Sequence, residues 1–580
     1  MIIRIETKRI KTMTIIRLSL LIALVGILSA CSNKENIEEP NNNSDKPREV
    51  AVNVQFQDYG EEEVINSRTG KQASLDTLFQ EAKDLGNGIT AVVTMHKDTV
   101  KPSPKTRAGG ADEETCTLVV FKGSTVMGEV SGKTNRSGSF ITGPSGNIVK
   151  LILPPDTYKL VCYNDKITRN GTKFTVKRDA NLEDAYMGVN NNFELKPVAP
   201  GDPFEYQYAS MSLSHVCSRV RFGIISYYDM AASDMTVSGQ TSADMPKSSS
   251  FDITTEQWST EEGDGDGYNW PYPAERCGVD EMASHYSNNY QLFLPSTQLS
   301  KLKVTFNSGN TYKRNLSGVT FNLQTNKKLE LNGQYRVDLF LLYNFLYLYS
   351  DGSVGYPKEA KVAGGSKIPI AVVISQSQRL AIGLKALNRG CTFSESRSPY
   401  SSTEANHTDY TTVASAATDM NGYEWTYGNS INGFGVKAYN SNFPAFFECG
   451  KYTAPSYYID ENKNAVNTTI PLTNNLVGKK WHLGSLGEWT YAYRVLGQGT
   501  DSWNSTTDSQ NVAWDAQFFY SAFRQMGFLN SYYTYTYNAI PTSTEYDFMH
   551  NWQLGFYEDH IEVRSHFKEW GYGFFPFIRY

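Results

Sequence analysis

This sequence predicts a mainly β chain: two successive β-sandwiches followed by a C-terminal α+β unit. Three observations carry that reading. Aromatic residues make up 13% of the chain, with 37 Tyr, 29 Phe and 9 Trp, while charged residues reach only 20%, a balance expected of a β-rich extracellular protein. Short runs with strand period recur between Gly, Pro and Asp turns, as in sandwich folds. Seven of the nine tryptophans lie beyond residue 346, so the last part has its own texture. At roughly 100–200 residues per domain, 580 residues accommodate three to five domains.

The N-terminal residues point to export. Arg4, Lys8, Arg9, Lys11 and Arg17 precede the apolar run Leu18 to Leu28, which closes in Leu28-Ser29-Ala30-Cys31 before the chain turns polar. That is a secretory signal over residues 1–30, and its apolar stretch falls short of the ~20 residues a membrane span needs. Met13 is an alternative start, because Arg17 and the whole apolar run follow it. The small-residue pair before Cys31 resembles the lipobox of bacterial lipoproteins, which implies that Cys31 is acylated and anchors the chain in the membrane. Acyl chains contribute about 0.8 kcal/mol per buried CH₂, and more than one makes the anchorage stable.

Residues 31–50 are rich in Asn, Glu, Lys and Pro and read as a disordered tether. Ala51-Val52-Asn53-Val54-Gln55-Phe56 and Ile89-Thr90-Ala91-Val92-Val93-Thr94-Met95 have strand period, with a short helix expected between them at Leu75 to Leu85. Lys101-Pro102-Ser103-Pro104-Lys105-Thr106-Arg107-Ala108-Gly109-Gly110 is an exposed loop open to a protease. A first sandwich is expected over residues 108–200, from strands such as Cys116 to Phe121, Ile148 to Leu153 and Tyr158 to Tyr163. The clearest linker runs from Pro197 to Pro203, and a second sandwich is expected over 201–345, from Val216 to Leu339. Leu339 to Leu346 is apolar but interrupted by Asn344, and reads as a buried strand. Beyond residue 346 we expect a hairpin with an Asp-Gly turn at 347–355, and helices at Leu486 to Leu496 and Trp514 to Met526.

The composition excludes several functions. Lys+Arg 54 against Asp+Glu 60 gives a net charge of −6, so nucleic acid is not an expected partner. The eight histidines form no HExxH, and no GxSxG or Walker loop occurs; no enzyme activity and no cofactor are expected. Glu262-Gly263-Asp264-Gly265-Asp266-Gly267 begins like a calcium loop, but its twelfth position is Pro273 rather than glutamate, so it reads as a flexible acidic turn. The six cysteines after Cys31 are widely spaced, without CxxC, so no zinc site or dense disulfide framework is expected, and for Cys116 and Cys162, inside apolar runs, buried free thiols are preferred to a disulfide.

The order of elements resembles fimbrillins, the subunits of type V pili on Gram-negative anaerobes. The resemblance rests on the lipobox, the tether, the short strand block, the Thr-Arg-Ala loop, and two halves carrying Leu-Pro-Pro-Asp-Thr-Tyr-Lys-Leu at 153 to 160 and Leu-Asn-Gly-Gln-Tyr-Arg-Val at 331 to 337. It implies transthyretin-like sandwiches. It also implies a propeptide, residues 51–107, whose strand fills a groove of the first sandwich until an Arg-specific protease removes it. Cleavage is expected after Arg107, with Arg48, placed in the tether, and Arg68 as rivals.

Residues 346–580 resemble C-type-lectin-like domains. Lys480-Trp481-His482-Leu483-Gly484-Ser485-Leu486-Gly487-Glu488-Trp489 is similar to their W-x-L-P-S/T-x-x-E-W block, with Gly484 where proline is usual and Phe575 where an arginine often precedes the final proline, Pro576. Read without the resemblance, Trp481 to Trp489 are core residues flanking a turn, and the polar stretch 395–465 is as consistent with a loop as with a sugar site. Ligand-binding residues are unassigned.

The resemblance implies a lipid-anchored outer-membrane protein that becomes a fimbrial tip subunit. Its expected partners are other subunits, through strand complementation, and a host or bacterial surface glycan or protein. A glycan-binding surface lipoprotein that never polymerises is the alternative. The aromatic C-terminal segment Trp570 to Tyr580 is expected to be a built-in strand rather than a donor tail, because aromatics burying about 150–250 Å² each would otherwise be left exposed.

Overall fold

The computed structural model describes residues 46–59, 77–98, 113–135, 139–198, 206–263, 265–278, 281–287, 289–325, 327–387, 390–395, 410–459, 465–528 and 539–580. The protein is mainly β.

The first twelve strands are β1 (Arg48–Phe56), β2 (Thr77–Asp84), β3 (Ile89–Lys97), β4 (Glu113–Lys122), β5 (Thr125–Asn135), β6 (Ser139–Phe140), β7 (Lys150–Leu153), β8 (Asp156–Asn164), β9 (Thr168–Asn170), β10 (Lys173–Lys177), β11 (Tyr186–Leu195) and β12 (Tyr206–His215). One sheet runs β5-β4-β8-β11-β12-β1-β6, with β7 also on β1. It rolls until its two ends meet, where Lys133 and Thr142 exchange backbone hydrogen bonds of 2.8 Å. The inside of the roll is apolar, with Val50, Val52, Val54, Leu118, Leu160 and Leu213 buried together. The outside of the same sheet packs Val119, Phe121 and Val161 against Phe174 and Phe251. Burial on both faces explains why Leu118-Val119-Val120-Phe121 is a continuous apolar run rather than an alternating one. Phe251 comes from Ser248–Asp252, which pairs with β10, so the covering sheet combines strands from before and after residue 200. β12 likewise belongs to the first sheet although it lies beyond 200.

The second unit has two facing sheets. One places β13 (Ser218–Ser226) parallel to Gln334–Tyr343, then β3, then β2 at the edge. The other contains Ser233–Gly239 between Tyr268–Tyr272 and Leu302–Ser308. Val93, Phe222, Val237, Trp270, Val304 and Leu339 fill the space between them.

Two expectations are corrected. Thr77–Asp84 is a strand, not part of a helix. Its Leu78, Phe79, Ala82, Leu85 spacing fits a helix, but a register shift between Thr77 and Phe79 lets both Leu78 and Phe79 reach the core from an edge strand on β3, and tertiary pairing overrides local period. Arg48 is not in a tether: it begins β1, is 7% exposed, and its Nη1 donates to the Lys196 carbonyl at 3.3 Å.

In the C-terminal part, Pro576–Arg579 lies between Leu380–Gly383 and Trp481–Leu483 in a six-stranded sheet. The helix Leu486–Leu496 and the helix Ala516–Arg524 pack on it. The hairpin Tyr347–Tyr349 with Val354–Gly355 forms as expected. No linker isolates this part from the second unit, because one apolar cluster extends through both. Phe518 packs against Tyr228, Tyr312, Tyr343 and Phe345, and Tyr228 Oη donates to Asp515 at 2.8 Å. Gln517 Nε2 donates to the Cys277 carbonyl at 2.6 Å and Tyr347 Oη to that of Ala522 at 2.6 Å.

Candidate functional site

In the first unit β1 fills a slot between two sheet edges. β1 points Val50, Val52 and Val54 into the core, while the other face carries the half-buried Glu49 and Asn53, the buried Ala51 and the exposed Gln55, a period-2 pattern. On one side it runs parallel to β12, Val52 opposite Ala209 and Val54 opposite Met211. On the other it is antiparallel to β7 and β6, Val50 opposite Leu151 and Val54 opposite Ser139. Every sheet neighbour of β1 follows residue 112, whereas β2 and β3, next in the chain, belong to the second unit. β1 is therefore an inserted strand whose chain continuation leads elsewhere. Each valine contributes about 1.5–3 kcal/mol through burial, and withdrawing β1 would expose unpaired backbone on β12, β6 and β7.

The far end of the slot is closed by stacked rings. Tyr59, just after β1, lies over His215 at 3.8 Å between centroids, and the Arg219 guanidinium sits 4.1 Å from the Tyr59 ring. His215 Nδ1 donates to the Glu183 carbonyl at 2.6 Å and Nε2 accepts from Tyr186 Oη at 3.1 Å. Burial lowers the pKa of His215 to about 4, with Arg219 adding to the shift and Asp58, Asp184 and the Glu183 hydrogen bond opposing it. An unfolded imidazole takes up its proton near pH 6.5. Between these values the unfolded state binds more protons, so the first unit should be fully stable above pH 6.5 and lose stability down to pH 4, by about 3 kcal/mol. Urea denaturation followed at Tyr and Trp checks this, and in His215→Gln the slope over that window should flatten.

The other sequence-derived candidates are dispersed. Met13, Cys31, Arg68 and Arg107 lie outside the described residues. The Trp481 to Trp489 block is core: Trp481, His482, Leu483, Ser485, Glu488 and Trp489 are all buried. Glu488 Oε2 accepts from the Ser485 N–H at 3.0 Å, closing a capping box at the start of the helix. Glu488 also accepts from His482 Nε2 at 3.2 Å and Arg579 Nη2 at 2.7 Å. Glycine stands at 484 because a Cβ there would lie 2.5 Å from the Phe577 ring. Phe575 is buried against Phe519 and Phe523. Cys116, Cys162, Cys217, Cys277, Cys391 and Cys449 are free thiols. The parallel β1–β12 pairing and the Tyr59–His215 closure escaped the sequence reading; Tyr59 lies three residues past β1 and carries no local signal of its partner.

No family model matches the chain and no curated protein matches it. Among solved structures, a fimbrial protein from Bacteroides ovatus aligns at 12% identity over 82% of this chain and 95% of its own, with a TM-score of 0.23. The fimbrial anchor protein of Porphyromonas gingivalis aligns at 11% identity over 53% of this chain and 95% of its own, with a TM-score of 0.24. A fimbrilin from Porphyromonas gingivalis aligns at 9% identity over 50% of this chain and 97% of its own, with a TM-score of 0.23.

Proposed function

We propose that this protein is a surface adhesive subunit of a bacterial fimbrium, carried to the outer membrane as a precursor acylated at Cys31 and, once cut, joined to other subunits by strand exchange in the β1 slot. The observation that carries this reading is the insertion of β1 between β12 and the β6–β7 edge, in a sheet whose other strands all follow residue 112. An extended segment from a neighbouring subunit could replace it with the same backbone pairing and alternate side chains in the valine positions.

Proteolysis would open the slot. A cut after Arg107 severs both β1 and the β2–β3 hairpin from the rest, whereas a cut after Arg68 severs β1 alone. β3 is buried along its length except for Lys97, and Asp98 at its end accepts from Arg221 Nη2 at 2.9 Å and Tyr290 Oη at 2.6 Å. The hairpin therefore stays seated after either cut, and β1 is the strand free to leave. Either cut frees β1, so Arg107 remains the expected site and Arg68 its rival. Mass spectrometry of surface protein should find a mature N-terminus at Thr69 or Ala108; Glu49 would refute the scheme, because β1 would remain attached. Cut protein should take up a labelled peptide of the β1 sequence, and the Val52→Asp peptide should bind at least about a hundredfold more weakly, because it buries an unpaired carboxylate.

Adhesion is assigned to the C-terminal part. Pro576–Arg579 is an interior strand there, so this segment is not available as a donor, which supports a position at the tip. A lipoprotein that binds glycans without polymerising predicts instead an uncut chain at the cell surface.

A further inference from the structure

The C-terminal domain contains a cleft of about 500 Å³, within the range of small-molecule sites. It is formed where five separate segments converge, residues 469–472 among them. Tyr427 ends the helix Gly422–Tyr427, Tyr439 ends the 3₁₀ turn Lys437–Tyr439, Tyr452 follows the helix Pro444–Lys451, and Lys479, Lys480 and Trp481 lead into the strand Trp481–Leu483. The aromatic walls are held by specific contacts. Tyr427 Oη donates to the Trp481 carbonyl at 2.7 Å, and Tyr452 meets Trp481 edge to face at 4.8 Å. Tyr439 is 63% exposed, leaving its ring open to a ligand.

The cleft also carries positive charge, from Lys479 and Lys480. Lys480 Nζ donates to Tyr439 Oη at 3.1 Å and lies 4.7 Å from the centre of the Tyr427 ring. Its ammonium has three donors, and among the described residues neither it nor Lys479 has a carboxylate partner. Rigid aromatic faces suit the C–H faces of a pyranose ring, and the Lys480 ammonium suits a carboxylate; a neutral sugar would satisfy only the first, an acidic peptide only the second.

We infer that this cleft binds a carboxylate-bearing sugar residue, its ring on Tyr439 and its carboxylate on Lys480 with Lys479 beside it. The inference rests on the adhesive reading of the C-terminal part and adds the ligand class. Saturation-transfer NMR on the full chain, with methyl glucuronide, methyl glucoside, acetate and an acetylated Asp-Glu dipeptide as probes, tests it. The glucuronide should bind about tenfold more tightly than the glucoside, the margin of one charge-assisted hydrogen bond. Added salt should reduce that margin. Lys480→Gln should abolish the preference while keeping glucoside binding, and Tyr439→Ala should weaken both sugars, with thermal transitions unchanged because both side chains are at the surface. Equal binding of the two sugars, dipeptide binding as tight as the glucuronide, or no saccharide binding would overturn the inference. If no glucuronide binds but the chain still adheres to cells, this ligand class falls and the adhesive reading stands; loss of both removes both.

Discussion

Deletion of residues 571–580 should abolish the cooperative folding of the C-terminal part. Phe574, Phe575, Phe577 and Ile578 are fully buried, and at about 1.5–3 kcal/mol for each large apolar side chain their loss is comparable with the ~5–15 kcal/mol that stabilises a whole domain. The deletion also removes the strand between Leu380–Gly383 and Trp481–Leu483, leaving two interior edges without hydrogen-bond partners. Near-UV circular dichroism should lose most of its tryptophan signal, since Trp481, Trp489 and Trp552 sit in this packing. Limited proteolysis should still return an intact first unit, whose inner core is separate. A deleted chain with the near-UV spectrum of the full protein would contradict the assignment of this segment as a structural strand.

Glu488→Ala should cost about 3–5 kcal/mol, the effect of breaking a buried ion pair on one side. The carboxylate is inaccessible, and its removal leaves the buried His482 and the half-buried Arg579 without their acceptor and the helix start without its cap. Burial alone would raise the pKa of Glu488, but the charge and hydrogen bond of His482, the Ser485 N–H and the charge of Arg579 bring it below the usual glutamate value. The unfolded state then takes up its proton first as pH falls, so this contribution is present above about pH 4.5 and lost through the lower folded pKa. Burial moves Asp419 the other way, to a raised pKa, and its contribution weakens as pH rises. Comparing acid unfolding of wild type and Glu488→Gln separates the two: the variant should lose less stability on acidification. An Ala variant within 1 kcal/mol of wild type, roughly the scale of one ordinary hydrogen bond, would mean that the cluster is structurally idle.

Local signals were legible where one segment determines its own conformation. The helical apolar spacing of Leu486 to Leu496 marks that helix, and the Asp351-Gly352 turn marks the hairpin that follows Tyr349. Residues 77–84 were misread because Leu and Phe at helical offsets also fit a bulged edge strand, and only the neighbour β3 decides. Strand period identifies the buried face of β1 but not its partner: β12 lies about 150 residues later, and nothing in Val50, Val52 or Val54 distinguishes a parallel neighbour from an antiparallel one. The acidic-sugar cleft was hidden for a related reason. Tyr427, Tyr439, Tyr452 and Lys480 come from separate elements, and the stretch that supplies the three tyrosines has the composition of an ordinary loop.

The continuous core between the second unit and the C-terminal part has a mechanical consequence. Drag on anything held by the C-terminal part reaches the rest of the subunit through Phe518 and its four aromatic neighbours, together with the Tyr228, Gln517 and Tyr347 hydrogen bonds. These contacts share the load and must yield together, because the helix Ala516–Arg524 is seated broadside rather than tethered at one point. A flexible linker would let the two parts swivel under flow and concentrate tension on the chain itself. Here a pull on the C-terminal part is spread over the core of the second unit rather than carried by a single strand of chain.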